Sequence, residues 1–142
     1  LKEQLTEPFI VMNGDVLTLI DFKKLYDYAS KLDTILTLSI KKEILPFAFG
    51  NIFFDDDYVT GIQEKPDLIT YILAGIYVMK PEVFDHIPHN EYYDMDTLIN
   101  SFLDKDIKIG KYEMDEYWLD IGRPGDYEKA QTMYTSDFNK EE

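Results

Sequence analysis

Hydrophobic positions recur with two different periods along the chain, and this alternation predicts both strands and helices. Residues 8–12 form a short apolar run that ends at Asn, Gly and Asp, which predicts a buried strand followed by a tight loop. From Asp21, which is typical of a helix cap, the apolar residues fall at helical spacing. Residues 35–40 return to a β-type run. Strand, helix and strand within about 35 residues match a βαβ crossover, so we predict that the two strands form a parallel pair.

The second half of the chain continues with a hairpin and a long strand. Residues 51–62 are typical of a hairpin that turns at the acidic residues 55–57. Residues 70–79 form the longest β-rich run and predict a central strand, in which Gly75 indicates a close approach of another backbone.

Proline and aspartate residues mark the starts of the remaining helices. Pro81 predicts a short helix over residues 82–87, and Asp94 predicts the cap of a helix with a clean apolar stripe. Pro124 opens the last predicted helix.

Two short strands and a polar tail complete the pattern. The strands are predicted at residues 107–112 and 116–119, and we expect the tail, residues 136–142, to fray. Residues 1–142 contain no repeat and no linker, so we predict one partial domain of the α/β class.

Charge and cysteine content narrow the classes of partner. Twenty-eight acidic residues against 14 basic residues give a formal charge of −14, which repels nucleic acid and anionic lipid. A small phosphorylated substrate stays compatible with this charge, because a metal ion screens the acids locally. The chain has no cysteine, which excludes disulfides and thiolate chemistry and fits a reducing cytoplasm. No apolar run approaches the ~20 residues of a membrane helix.

Asp15 is the first candidate for a metal ligand. It follows the first predicted strand directly, and in open α/β sheets ligands bind beyond the carboxyl ends of the strands. Asn, Gly and Asp are also the commonest turn residues, so a plain turn explains the same segment.

Asp120 is the second candidate. It lies between Leu and Ile, next to the only tryptophan, Trp118. A carboxylate embedded among apolar neighbours is costly unless it is paired or bound to a metal. As alternatives, Asp120 caps the last helix or pairs with Arg123, the only arginine.

Glu64 and Lys65 stand before Pro66 at the end of the predicted hairpin. Proline disfavours helical backbone at the residue before it, so we predict an extended Lys65 and side chains on opposite faces. Such an acid and base bind sugar hydroxyls and a phosphate, or they form a solvated strand end. His86 and His89 have no third ligand nearby in the sequence, and we interpret them as surface loop residues.

Five segments, in order, resemble the sugar-phosphate nucleotidylyltransferases, the family that makes nucleotide sugars. The segments are FIVMNGD, FGNIFFDDD, GIQEKP, LAGIYVMKPEVF and YWLDIGRPGDYEKA, and they extend over residues 8–130. The first and last are most similar to the mannose-1-phosphate or heptose-1-phosphate guanylyltransferase branch. The resemblance implies an α/β fold with a Rossmann-like mixed sheet flanked by helices.

The resemblance also implies roles for individual residues. Asp15 and Asp120 match the carboxylates that bind Mg²⁺ beside the α-phosphate of the nucleotide. Lys65 matches the cation on the sugar 1-phosphate and completes the catalytic set, while Glu64 matches the acid that binds sugar hydroxyls. Further residues that the resemblance places against the substrate are Gly50, Ala74, Gly75 and Trp118.

The implied reaction transfers a nucleotidyl group from an NTP to a sugar 1-phosphate, giving an NDP-sugar and pyrophosphate, in the cytoplasm and for polysaccharide biosynthesis. Members of the family carry a Gly-rich nucleotide loop upstream of the NGD segment, and this chain does not contain it. We therefore expect the nucleotide-binding part of the fold to be missing and the chain alone to be inactive. Self-association or an N-terminal segment should cover the exposed sheet face. The alternative is a non-catalytic sugar-phosphate-binding or regulatory module.

Overall fold

The structure is a computed structural model that describes residues 2–135. Over these residues the strands are β1 (Phe9–Met12), β2 (Val16–Thr18), β3 (Leu36–Pro46), β4 (Asn51–Asp55), β5 (Tyr58–Gln63), β6 (Asp67–Met79), β7 (Ile109–Glu113) and β8 (Trp118–Asp120). The helices are α1 (Phe22–Lys31), α2 (Met95–Asp104) and α3 (Pro124–Met133), with a 3₁₀ helix at Pro81–His86. The predicted fraying of residues 136–142 lies outside the described residues. Within residues 2–135 no helix is long and apolar enough to cross a membrane.

A four-stranded mixed sheet in the order β1, β6, β3, β7 forms the centre of the fold. β6 is antiparallel to both of its neighbours, and β7 is parallel to β3. The central position predicted for residues 70–79 is therefore confirmed. The predicted pairing of the first two sheet strands is wrong: β1 and β3 run in the same direction, but β6 lies between them. Residues 77–79 of β6 pair with both strands at once, because a strand carries hydrogen-bonding groups along both of its edges.

The two faces of this sheet are covered by different helices, because side chains alternate along β6. The cluster on the first face joins β6 to α1 and includes Leu25, Ala29, Ile76 and Val78. The cluster on the second face joins β6 to α2 and includes Tyr77, Met79, Leu98 and Phe102. The result is a layered α/β arrangement with a mixed sheet between helices.

The predicted helix starts are confirmed. The carboxylates of Asp21 and Asp94 accept hydrogen bonds of 2.9 Å from the backbone N–H groups of Lys24 and Thr97. These caps satisfy donors that the first turn of a helix leaves without a partner. α3 begins at Pro124 as predicted. The helix predicted over 82–87 is the 3₁₀ helix Pro81–His86.

The predicted hairpin over 51–62 is also confirmed, as β4 and β5. It continues the antiparallel ladder of β3 and β6, which ends at the pair Pro46 and Asp67. We call residues 42–71 the arm: it contains the outer halves of β3 and β6 together with β4 and β5. Within residues 2–135, β4 and β5 pair with no other strand.

β1 forms one edge of the central sheet. Among the described strands it pairs with β6 alone, so its other side presents unpaired backbone groups. An apolar groove of about 420 Å³ runs beside it, lined by Leu5, Phe9, Met79, Phe84, Ile87 and Met95 among others.

Candidate functional site

The loop that carries Asp15 is tied to the segment that carries Asp120. β2 and β8 pair antiparallel with Val16 opposite Asp120. The ladder extends one step further, because the N–H of Ile121 donates a hydrogen bond of 2.8 Å to the carbonyl of Asp15. Asp15, which directly precedes β2, therefore lies opposite Ile121, one step along the ladder from the pair Val16 and Asp120. Both residues are exposed to solvent.

The exposure of Asp120 contradicts the argument from sequence that its carboxylate is embedded among apolar residues. Its apolar neighbours predicted a buried carboxylate, but the end of β8 lies at the surface. Both structural alternatives are also absent from the described residues. The cap of α3 is Arg123, and no ion pair joins Arg123 to Asp120 within residues 2–135. The Asp120 carboxylate is left facing solvent close to Gly122, where an added Cβ would lie 3.2 Å from its Oδ1.

Gly75, in β6, contacts the start of the loop that carries Asp15. The N–H of Asn13 donates a hydrogen bond of 2.8 Å to the carbonyl of Gly75. Gly75 has φ +68°, and a Cβ at this position would lie 2.8 Å from Nδ2 of Asn13. The close approach predicted at Gly75 is therefore confirmed, and the backbone there needs glycine for both space and conformation.

The same part of β6 is also connected to β8, through Ala74 and Trp118. The indole Nε1–H of Trp118 donates a hydrogen bond of 2.7 Å to the carbonyl of Ala74. Ala74 is fully buried, and Trp118 packs against the cluster on the α1 face of the sheet. Consecutive residues of β6 thus hold the Asp15 loop through Asn13 and the Asp120 strand through Trp118.

A second group of candidate residues lies at the bend of the arm. A Cβ added to Gly50 would lie 3.1 Å from Oε2 of Glu64, so these two residues are in contact distance. The prediction of an extended Lys65 is wrong, because Lys65 has φ +44°. Three residues (64–66) oppose four (47–50) between the two ladders of the arm, and the left-handed backbone at Lys65 accommodates this mismatch. Glu64 and Lys65 are both exposed.

The structure thus gathers the predicted residues into two groups. The group at the end of β1 and β8 contains Asp15, Ala74, Gly75, Trp118 and Asp120. The group at the bend of the arm contains Gly50, Glu64 and Lys65. No hydrogen bond or ion pair joins Lys65 to Asp15 or Asp120 in the part of the chain that is described.

The first group suits a magnesium ion that shares its ligands with a substrate. Mg²⁺ prefers oxygen ligands, keeps several waters, and is held through one or two carboxylates together with phosphate oxygens. Asp15, just before β2, and Asp120, at the end of β8, supply two such carboxylates. Over residues 2–135 no three His, Asp or Glu side chains gather into a group that could hold a metal ion. An ion at this place would take its other ligands from water and phosphate.

Asn13 is the residue of this group that sequence reasoning missed. Its backbone and side chain both meet Gly75, so it fixes the entry of the Asp15 loop. The signal in the sequence is an Asn that directly follows a strand, but turn statistics explain the same residue equally well.

The family of the chain follows from comparison of its sequence with family models. Residues 1–137 match the model described as nucleotidyl transferase. The chain belongs to this family. Membership confirms the resemblance that the five ordered segments indicate.

Relatives and solved structures extend this finding. The chain is 33% identical over 133 residues to the UTP–glucose-1-phosphate uridylyltransferase of Synechocystis, which covers 87% of this chain and 34% of that protein. It is 30% identical over 128 residues to the D-glycero-alpha-D-manno-heptose 1-phosphate guanylyltransferase of Aneurinibacillus thermoaerophilus, with 88% of this chain and 55% of that protein covered. The crystal structure of HddC from Yersinia pseudotuberculosis matches with a TM-score of 0.59 and 29% identity, over 90% of this chain and 56% of that chain. The chain spans about a third to a half of the length of these curated relatives.

Proposed function

We propose that the protein transfers a nucleotidyl group from an NTP to a sugar 1-phosphate, with this chain supplying the metal and sugar-phosphate residues. The observation that carries the proposal is that the ladder of β2 and β8 brings the Asp15 loop to the segment of Asp120, and that Gly75 and Ala74 of β6 hydrogen-bond to both segments through Asn13 and Trp118. The named activities of the relatives, which act on glucose 1-phosphate and a heptose 1-phosphate, support the substrate class.

The chemistry of the substrates explains why carboxylates and a lysine suffice. A sugar 1-phosphate is largely ionised at pH 7, so its oxygen attacks the α-phosphorus of the nucleotide without a general base. One P–O bond forms, the bond to the leaving pyrophosphate breaks, and no other proton acceptor is required. Catalysis then consists of in-line positioning and charge neutralisation.

Each candidate residue has a role in this scheme. Asp15 and Asp120 hold Mg²⁺, which when bound neutralises charge on the phosphates. Lys65 binds the phosphate of the sugar 1-phosphate and Glu64 accepts hydrogen bonds from sugar hydroxyls. The backbone of Gly50 and Gly75 lies against the sugar in this scheme, although the places of their missing Cβ atoms are next to Glu64 and Asn13. Trp118 lies beside Ala74 and contributes an apolar surface. The cation and the lysine are needed because the protein, at −14, otherwise repels a phosphorylated ligand.

The nucleotide is held by another part of the polypeptide in this proposal. The relatives are longer than this chain, and none of its seven glycines forms a Gly-rich phosphate loop. The unpaired edge of β1 and the apolar groove beside it are the places where a further segment, or a second chain, covers the sheet. We place the whole protein in the cytoplasm, in the formation of nucleotide sugars for polysaccharides, as a single nucleotidyltransferase domain of which residues 1–142 are part.

Titration calorimetry of the chain with hexose and heptose 1-phosphates in the presence of Mg²⁺ tests the proposal. We expect Mg²⁺-dependent binding that is lost in Asp15→Asn, Asp120→Asn and Lys65→Ala. Matched controls are Asp104→Asn and Lys108→Ala, which remove an exposed carboxylate and an exposed lysine elsewhere and should bind normally.

Three outcomes would contradict the proposal in different ways. Binding that survives all three site variants would move the site away from these residues. Absence of binding by a chain whose circular dichroism shows it to be folded would mean that this part of the protein does not hold the sugar phosphate by itself. Binding without any dependence on Mg²⁺ would favour the non-catalytic binding module.

A further inference from the structure

A cavity at the end of β8 contains Asp120, one of the two proposed metal ligands. Its volume is about 460 Å³, within the range of roughly 300–1,000 Å³ that small-molecule sites in proteins have. The described residues that line it are Trp118, Leu119, Asp120, Gly122, Arg123 and Asp126. Arg123 is the one basic residue among them and the only arginine in the whole chain. The reaction scheme above gives it no role.

The charges in this cavity are only partly paired. The Asp126 carboxylate accepts a hydrogen bond from the ammonium group of Lys129, with Oδ1 and Nζ 3.1 Å apart. Within residues 2–135 neither Asp120 nor Arg123 forms an ion pair, and both are exposed to solvent. A carboxylate and a guanidinium therefore line the same cavity without binding each other. This combination suits a metal-bound phosphate, which needs a carboxylate for the metal ion and a cation for its remaining oxygens.

The fold does not use the Arg123 side chain. Arg123 is the N-cap of α3, and its side chain makes no capping hydrogen bond. Ser, Thr, Asp and Asn stabilise this position, because their side-chain oxygens accept hydrogen bonds from the first turn of the helix. A cation at a helix N-terminus is also unfavourable, since the positive end of the helix dipole lies there. Arg123 thus breaks a local rule of stability, which is characteristic of residues that serve function.

The backbone on both sides of Arg123 is held in place. On one side, the N–H of Ile121 donates a hydrogen bond of 2.8 Å to the carbonyl of Asp15. On the other side, the Arg123 carbonyl accepts hydrogen bonds of 3.0 and 3.2 Å from the N–H groups of Asp126 and Tyr127. The guanidinium therefore starts from a fixed point of the chain, and such preorganisation lowers the entropy cost of binding a ligand.

We propose that Arg123 is a further substrate-binding residue, whose guanidinium binds the phosphate that Asp120 holds through Mg²⁺. The inference rests on the proposed function, because it takes its ligand from that reaction. A guanidinium is always charged, and its parallel N–H donors match two phosphate oxygens. It neutralises charge at the phosphate without a proton transfer. Lys65 lies in the other group of candidate residues, so Arg123 supplies the cation that the group of Asp15 and Asp120 otherwise lacks.

The proposed reaction offers two sources of such a phosphate. One is the sugar 1-phosphate, and the other is the phosphate chain of the nucleotide, which leaves as pyrophosphate. Both present anionic oxygens to a metal ion and a guanidinium, so the chemistry of recognition is the same. Glucose 1-phosphate and pyrophosphate serve as the two probes, and each is used with and without Mg²⁺.

Chemical modification with phenylglyoxal reports on Arg123 alone, because the chain contains no other arginine. The reagent reacts with guanidinium groups, and the mass of the intact chain counts the adducts. Arg123→Asn, which has no arginine, is the blank. We expect Mg²⁺ with at least one of the probes to slow the modification of wild type several-fold, and we expect Asp120→Asn to abolish this protection. Protection by one probe and not by the other identifies the source of the phosphate.

Titration calorimetry with the same probes measures the affinity. We expect Arg123→Asn to weaken Mg²⁺-dependent binding at least about tenfold, because the phosphate loses charge-assisted hydrogen bonds. The matched control is Lys108→Asn, which removes one exposed positive charge elsewhere and should bind like wild type. Arg123→Asn should also raise the melting temperature, because Asn caps a helix better than Arg does.

Different outcomes contradict this inference and the proposed function. Binding that is lost in Asp15→Asn and Asp120→Asn but is normal in Arg123→Asn would overturn the inference alone. So would protection from phenylglyoxal that persists in Asp120→Asn, or a melting temperature that falls in Arg123→Asn, since the guanidinium would then have a structural role. A folded wild-type chain that binds neither probe would overturn both proposals.

Discussion

The indole Nε1–H of Trp118 and the carbonyl of Ala74 are joined by a hydrogen bond of 2.7 Å that connects β8 to the middle of the central sheet. β8 pairs with β2 alone among the described strands, so this bond and the packing of the indole ring anchor it to the core. Asp120 is two residues from Trp118. The position of Asp120, a proposed metal ligand, thus depends on the hydrogen bond that Trp118 makes to Ala74.

Removal of this hydrogen bond should destabilise the fold measurably. We expect Trp118→Phe to lower the free energy of unfolding by about 1–3 kcal/mol, because the buried carbonyl of Ala74 loses its partner. Urea unfolding followed by circular dichroism measures the change. Tyr26→Phe is the control, since Tyr26 packs against the same cluster and its change should cost less than Trp118→Phe. Equal losses in the two variants would show that the hydrogen bond adds nothing beyond packing.

Gly75→Ala should be among the most damaging small substitutions in the chain. The left-handed backbone at φ +68° costs a non-glycine residue roughly 1–2 kcal/mol. The added Cβ would also meet Asn13 Nδ2 at 2.8 Å. Thermal unfolding should show a clear loss of stability, whereas Gly14→Ala, with no heavy atom within 4 Å of its added Cβ, should show little. The double variant Asn13→Ala with Gly75→Ala should recover the steric part of the loss only, and full recovery would argue against backbone strain.

The Asp94 cap should make stability depend on pH in the acid range. Hydrogen bonds from Thr97 hold the pKa of the Asp94 carboxyl below its ordinary value. Because the folded pKa is lower than the unfolded one, the contribution is present above the unfolded value and is lost as the pH falls through the folded value. The difference in unfolding free energy between wild type and Asp94→Asn, which keeps a capping oxygen without the charge, should shrink as the pH falls from 7 to about 3. A difference that is constant with pH would exclude this linkage.

Tyr77 should make the stability of the fold depend on pH in the alkaline range, where stability falls as the pH rises. Burial raises the pKa of the Tyr77 phenol, and the charge of Asp96 raises it further. The folded pKa lies above the unfolded value of about 10, so stability is complete below that value and falls as the pH rises through the folded pKa. Chemical unfolding of wild type between pH 8 and 11 should show this loss, and Tyr77→Phe should reduce it. Tyr92→Phe, at a tyrosine that is 90% exposed, should leave it unchanged.

Local features of the fold could be predicted well from the sequence. The caps Asp21 and Asp94 and the hairpin of β4 and β5 follow from interactions within a few residues of one another, and the structure confirms them. The order of strands could not be predicted, because the pairing of β1 with β6 joins residues far apart in the chain. Local pattern carries no information about which strand lies beside which.

The candidate site, like the fold, has some features that the sequence determines and others that only the tertiary structure decides. Sequence by itself determined the residue types, the segments that carry them and the family to which they belong, since these depend on chemistry and order along the chain. Only the tertiary structure decided that Asp120 is exposed, that Lys65 is left-handed and that Asn13 rests on Gly75. Each of these follows from how separate segments are packed together. Asp120 is exposed because the end of β8 lies at the surface. Lys65 lies where three residues oppose four in the arm, and Asn13 meets Gly75 because the Asp15 loop packs on β6. Solvent exposure and backbone conformation at such places are properties of the assembled chain, because they are set by neighbours that sequence distance does not reveal.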